Sequence, residues 1–143
     1  MKDLDWSNLS FGYRQTDYNV RCYYRDGKWG EIEVCSDEYL KLHMAATCLH
    51  YGQEAFEGLK AYRCPDGKVR VFRMDENAAR LQSTCRGILM PEVPTELFEE
   101  MVKKVVRLNQ EWIPTYESGA TLYIRPLLIG TSPQVGVHPS KEY

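Results

Sequence analysis

No apolar run in the chain is long enough to cross a bilayer. Stretches such as Pro126 to Gly130 stop far short of the ~20 residues that a spanning helix needs. An apolar leader is missing too: the opening Met1-Lys2-Asp3-Leu4-Asp5 is mostly charged, which argues against secretion and for the cytoplasm. No run of lysine or arginine forms a basic stripe, and a formal charge of -2 gives no electrostatic reason to bind nucleic acid. There is no internal repeat, low-complexity tract or C-x-x-C pair. Cys22, Cys35, Cys48, Cys64 and Cys85 are odd in number and scattered, so reduced and mostly packed thiols are expected rather than a disulfide framework. His43, His50 and His138 lack ligand spacing with one another or with the cysteines, which speaks against a zinc site. What is left is a charged fraction of 27% and a hydrophobic fraction of 43% in 143 residues, enough to bury the core of one domain.

Local patterns divide the chain. Tyr18 to Tyr24 and Trp29 to Cys35 are rich in aromatic and β-branched residues and are joined by Arg25-Asp26-Gly27-Lys28. Asp-Gly between two such runs predicts a tight hairpin, because glycine tolerates the positive φ of the turn. A second hairpin is predicted from Ala55 to Cys64 and Lys68 to Phe72, around Pro65-Asp66-Gly67. The period then becomes helical. Asp75 can cap a helix running to about Gly87, with Ala78, Leu81, Cys85 and Ile88 on one face. Pro94-Thr95 opens a second helix, with Thr95 as N-cap and Glu96, Glu99 and Glu100 near its positive end. Its apolar stripe is Leu97, Phe98, Met101, Val102, Val105, Val106 and Trp112, ended by Pro114. Thr121 to Ile129 reads as a strand, followed by a Gly/Pro-rich loop from Gly130 to Ser140. Hairpins with helices grouped together predict an α+β fold, an antiparallel sheet with helices packed on one side. Lys141-Glu142-Tyr143 carry no turn or cap and read as the lead-in to further strand.

Several residues could carry chemistry. Arg70, Arg73, Arg80 and Arg86 crowd the second hairpin and the helix after it, and a planar guanidinium suits a phosphate. Spacing alone does not choose among them. In His50-Tyr51-Gly52-Gln53-Glu54-Ala55-Phe56-Glu57-Gly58, two glycines allow close backbone approach and an aromatic ring can wall an aliphatic side chain. An aromatic strand with glycines at a bend fits the same letters. Tyr123 and Arg125 lie two apart on a predicted strand, hence on one face, and an inward arginine there would need an anionic partner. That partner could be a bound carboxylate or a structural Asp or Glu.

These segments, together with Tyr123-Ile124-Arg125-Pro126, resemble the small-domain signatures of the branched-chain aminotransferases, fold-type IV enzymes that use pyridoxal 5'-phosphate (PLP). The likeness runs from about Phe11 to Tyr143, and it implies that residues 1–143 form an N-terminal small domain, with 1–10 as an arm. It implies that Arg80, in Val71-Phe72-Arg73-Met74-Asp75-Glu76-Asn77-Ala78-Ala79-Arg80-Leu81, contacts the cofactor phosphate, with Gly58 beside the cofactor. By the same resemblance Phe11, Tyr51 and Phe56 line the substrate side-chain pocket, Tyr51 across a homodimer interface. Tyr123 and Arg125 face the substrate, the arginine meeting the side-chain carboxylate of glutamate. Val137, ending Gly130-Thr131-Ser132-Pro133-Gln134-Val135-Gly136-Val137, approaches the neighbouring subunit's pocket. Glu57 reads equally as a helper in the motif or as a plain strand charge.

No lysine here lies in a segment like the family's cofactor-lysine motif, so the Schiff-base lysine and the glutamate on the pyridine nitrogen are expected outside this chain. The implied reaction passes an amino group from leucine, isoleucine or valine to 2-oxoglutarate, and the chain by itself is expected to be inactive. A D-amino-acid aminotransferase or aminodeoxychorismate lyase of the same fold type, or a non-catalytic dimerisation domain, are the alternatives.

Overall fold

A computed structural model describes residues 2–6 and 8–143; Met1 and Ser7, part of the stretch read as an arm, lie outside the described residues. The first hairpin forms where Asp-Gly predicts it. Strand β2 (Tyr24–Arg25) pairs with β3 (Lys28–Trp29), and Asp26 and Gly27 take φ of 51° and 75° at the turn. The flanking strands β1 (Asn19–Arg21) and β4 (Glu33–Cys35) form a separate antiparallel pair, so each expected long strand is interrupted. A short helix α1 (Thr47–Tyr51) follows, where the letters also fitted a strand, and Gly52 ends it at a φ of 61°. Proximity of Tyr51 to a helix end, not a strand bend, sets its direction.

The second hairpin joins β6 (Leu59–Arg63) to β7 (Val69–Val71), and β6 also pairs with β8 (Leu122–Ile124). Strand β5 (Glu54–Phe56) pairs with β9 (Leu127–Ile129). The register of β5 on β9 (Phe56 opposite Leu127) continues unchanged into β6 on β8 (Leu59 opposite Ile124). The two pairs are therefore one antiparallel ladder interrupted for two residues, Glu57-Gly58 facing Arg125-Pro126. Proline has no N–H to give the ladder, and the gap is bridged by Glu57 N donating to the Pro126 carbonyl at 3.0 Å. The expected single strand from Thr121 to Ile129 is divided for this reason.

Helix α2 (Met74–Gly87) and helix α3 (Thr95–Leu108) cover one side of the ladder. Period-2 alternation turns Ala55, Leu59, Ala61, Ile124 and Leu128 towards them, to meet Ala78, Leu81 and Cys85 of α2 and Phe98, Val102 and Val106 of α3. This is the α+β arrangement expected of the sequence, with the helices on one face. Both predicted caps differ. Arg73, in the left-handed region at φ 45°, precedes α2, and Asp75 lies inside the first turn, bonded to the Arg73 guanidinium. Pro94 precedes α3, whose first residue Thr95 accepts a hydrogen bond from Gln82 at 3.2 Å instead of capping. Trp112 falls in a separate 3-10 turn (Gln110–Trp112), beyond the end of α3. Tyr143 is buried and exchanges backbone hydrogen bonds with Tyr24 in both directions, although residues 141–143 form no strand. At the other end, Lys2 reaches Asp17 and the Trp112 ring.

Candidate functional site

The interruption of the ladder organises the site. On the side away from the helices, the alternation that buries Ala55 and Leu59 leaves Phe56, Gly58, Tyr123 and Arg125 on the open face. Arg125 Nη2 donates to the Tyr123 hydroxyl oxygen at 2.9 Å, and its guanidinium carbon lies 4.3 Å from the Phe56 ring centre. Phe11 meets Tyr123 edge-on, with ring centres 5.3 Å apart. Gly58 leaves room for this cluster: a Cβ built there would collide with the Tyr123 hydroxyl, so a larger residue has to push that ring aside. Arg125 is exposed rather than turned into the core, so the expected burial cost does not arise; it makes no ion pair among the described residues. Its charge is free to meet an anion arriving on this face.

The helix side of the same interruption holds a different group. Glu57 shares the buried register of Ala55 and Leu59 and is 3% exposed. A carboxylate in that position needs partners, and α2 provides them. Arg80 Nε donates to Glu57 Oε1 at 2.8 Å and Nη2 to Oε2 at 2.7 Å, the two-pronged geometry that suits a guanidinium and a carboxylate. Asn77, one turn earlier on α2, donates to Oε2 at 2.8 Å and approaches the Gly58 carbonyl at 3.4 Å. Burial alone would raise the Glu57 pKa, but the hydrogen bonds from Arg80 and Asn77 and the charge of Arg80 outweigh it and hold the group below the usual carboxylate range. The Glu57 hydrogen bond in turn raises the pKa of the Arg80 guanidinium. Of the four arginines the sequence offered, the others are held on the surface: Arg70 by Asp66, Arg73 by Asp75 and Glu76, Arg86 by Glu92.

The Arg80 side chain is 68% exposed while its buried partner takes Nε and Nη2, and Nη1 donates to no described residue, which leaves N–H donors of the kind that suit a phosphate. The sequence reading left Glu57 undecided. The signal that could have settled it is the alternation itself, which puts a charge between two buried apolar positions.

Tyr51 and Val137 do not join this cluster. The Tyr51 hydroxyl donates to the Val135 carbonyl, tying α1 to the loop after β9, and Val137 is 87% exposed. Lys60 lies opposite Tyr123 in the ladder and is exposed. Among the described residues no group of His, Cys, Asp or Glu could hold a metal ion, and no helix is long and apolar enough to cross a membrane.

No family model matches the chain. Known proteins do. The chain is 52% identical over all 143 residues to a branched-chain-amino-acid aminotransferase of Haemophilus influenzae, covering 42% of that protein. It superposes on the crystal structure of the Escherichia coli branched-chain amino acid aminotransferase with a TM-score of 0.64 and 27% identity, over 87% of this chain and 36% of that one. The branched-chain aminotransferase of the thermophilic archaeon Thermoproteus uzoniensis, solved with norvaline, matches with a TM-score of 0.61 and 25% identity, over 83% and 36%. The chain thus spans about two fifths of the length of the relatives it matches. Its fold matches that of their small domain, and over its whole length its sequence is similar to that of branched-chain aminotransferases.

Proposed function

We propose that this chain supplies the substrate pocket and the phosphate-binding arginine of a PLP-dependent aminotransferase that moves the amino group of leucine, isoleucine or valine to 2-oxoglutarate. The observation that carries the reading is the grouping of Phe56, Tyr123 and Arg125 around a glycine that no other residue could replace without displacing Tyr123. When bound, PLP supplies the electron sink that lets an amino group leave one carbon skeleton for another. Arg80 holds the phosphate through the edge that Glu57 leaves open. Phe11 and Phe56 wall the site for an aliphatic side chain, whose burial against aromatic carbon stabilises binding at about 25 cal/mol per Å².

Arg125 answers the requirement that the same pocket take glutamate. Its guanidinium can donate hydrogen bonds to a side-chain carboxylate, while the part of the Phe56 ring that it leaves exposed can meet an aliphatic substrate. Tyr123 fixes Arg125 by accepting its hydrogen bond, which leaves the phenolic O–H to donate towards a substrate oxygen. The lysine that links PLP and the group on its ring nitrogen come from residues beyond 1–143, and the domain by itself turns over no substrate. Tyr51, Val135 and Val137 form a separate exposed edge that suits the neighbouring subunit of a homodimer working in the cytoplasm.

The test is a substrate panel on the full-length protein with and without Arg125→Ala. The variant should raise KM for 2-oxoglutarate roughly tenfold to a hundredfold, as loss of a charge-assisted hydrogen bond predicts, and change KM for leucine far less. Equal losses for both substrates would remove Arg125 from the proposed role. Turnover of D-amino acids in place of leucine would move the protein to another chemistry of the same fold type.

A further inference from the structure

We infer that Glu57 is the positioning residue for the phosphate contact of Arg80, with Asn77 as its second support, and that the pair acts as one unit. The inference rests on the reading of Arg80 as a phosphate ligand. Arg80 is an exposed arginine on a helix surface, and such side chains ordinarily sample many rotamers. Here Nε and Nη2 are both committed to a carboxylate that the ladder holds in place through Glu57 N and the Pro126 carbonyl. Asn77 keeps Oε2 from turning away. The remaining edge of the guanidinium is thereby aimed before any ligand arrives, which lowers the ordering cost of binding.

The arrangement has an opposing effect that makes it testable. A carboxylate beside a cation weakens the attraction of that cation for a phosphate. If Glu57 only neutralised Arg80, its removal would strengthen phosphate binding. If it positions Arg80, removal weakens it. Glu57→Gln separates the two, because glutamine keeps the size but turns an N–H2 donor against a guanidinium that has only donors.

The experiment measures dissociation constants of full-length protein for PLP and for pyridoxal, which lacks the phosphate, alongside thermal unfolding. Glu57→Gln should weaken PLP on the order of tenfold or more and leave pyridoxal unchanged, the loss of one charge-assisted bond. Asn77→Ala, on a half-buried helix position, should weaken PLP in the same direction by a smaller factor, and it decides the matter if Glu57→Gln does not fold. Arg80→Ala should abolish the preference for PLP over pyridoxal, and adding Glu57→Gln to it should cost nothing further. Tighter or unchanged PLP binding in Glu57→Gln, or parallel weakening of PLP and pyridoxal, would overturn the positioning role. An unchanged PLP preference in Arg80→Ala would instead overturn the reading of Arg80 itself.

Discussion

Two residues, Glu57 and Gly58, do opposite things because a strand turns successive side chains to opposite faces. Glu57 is sent to the helices and Gly58 to the open face. For Glu57 the partners on α2 hold the carboxylate ionised, so its folded-state pKa lies below its unfolded value. Such a group contributes its full stability above the unfolded carboxylate pKa and loses it as pH falls through the lower folded value. Acid unfolding followed by circular dichroism should therefore show a steeper acid limb for the natural protein than for Glu57→Gln. Matching limbs would mean that the ion pair adds nothing to folding. For Gly58 the expectation is steric. Gly58→Ala would push the Tyr123 ring aside and release Arg125, lowering kcat/KM by at least tenfold while unfolding shifts by no more than about 1 kcal/mol, since Tyr123 lies on the half-exposed face outside the core. A loss of stability without a loss of activity would contradict it. That Tyr123 and Arg125 share a face was legible in the sequence from spacing alone. That Arg125 is exposed was not, because alternation fixes which residues share a face and not which face is covered.

Among the elements, turns and apolar periodicity were the readable signals. Asp26-Gly27 and Asp66-Gly67 mark both hairpins, and the stripe through Phe98, Val102 and Val106 marks the buried face of α3. Caps were less legible: Asp75 and Thr95 have the right chemistry, but backbone geometry places the helix starts one or two residues earlier. The divided strands had a cue in Pro126, which cannot donate to a ladder. Helix α1 had little cue; five residues ended by Gly52 are too few to show a period. Helix α3 secures the core beneath the ladder. Phe98 is 3% exposed against the ladder and α2, and Phe98→Ala should cost about 3–5 kcal/mol, seen as a shift in the denaturation midpoint. A shift below 1 kcal/mol would mean that α3 is not part of the cooperative core.

For the molecule as a whole, the residues proposed for the site lie on an open face of the ladder. Two surface hollows lie away from it, one along α3 beside Glu96, Glu99 and Lys103 and one beside Gln15 to Tyr18. Phe11, Phe56, Phe72 and Leu127 are large apolar side chains left exposed, and surfaces of that kind ordinarily meet another protein surface. The relatives it matches are more than twice as long as this chain. The proposed function requires PLP and an amino acid to be bound together in the full-length protein. The measurement that addresses it most directly is the visible absorption spectrum of the full-length protein, before and after leucine and then after 2-oxoglutarate. A yellow PLP band that fades with leucine and returns with the keto acid is the expected result. A folded, PLP-supplemented protein without that band, or with a band indifferent to leucine, would contradict it.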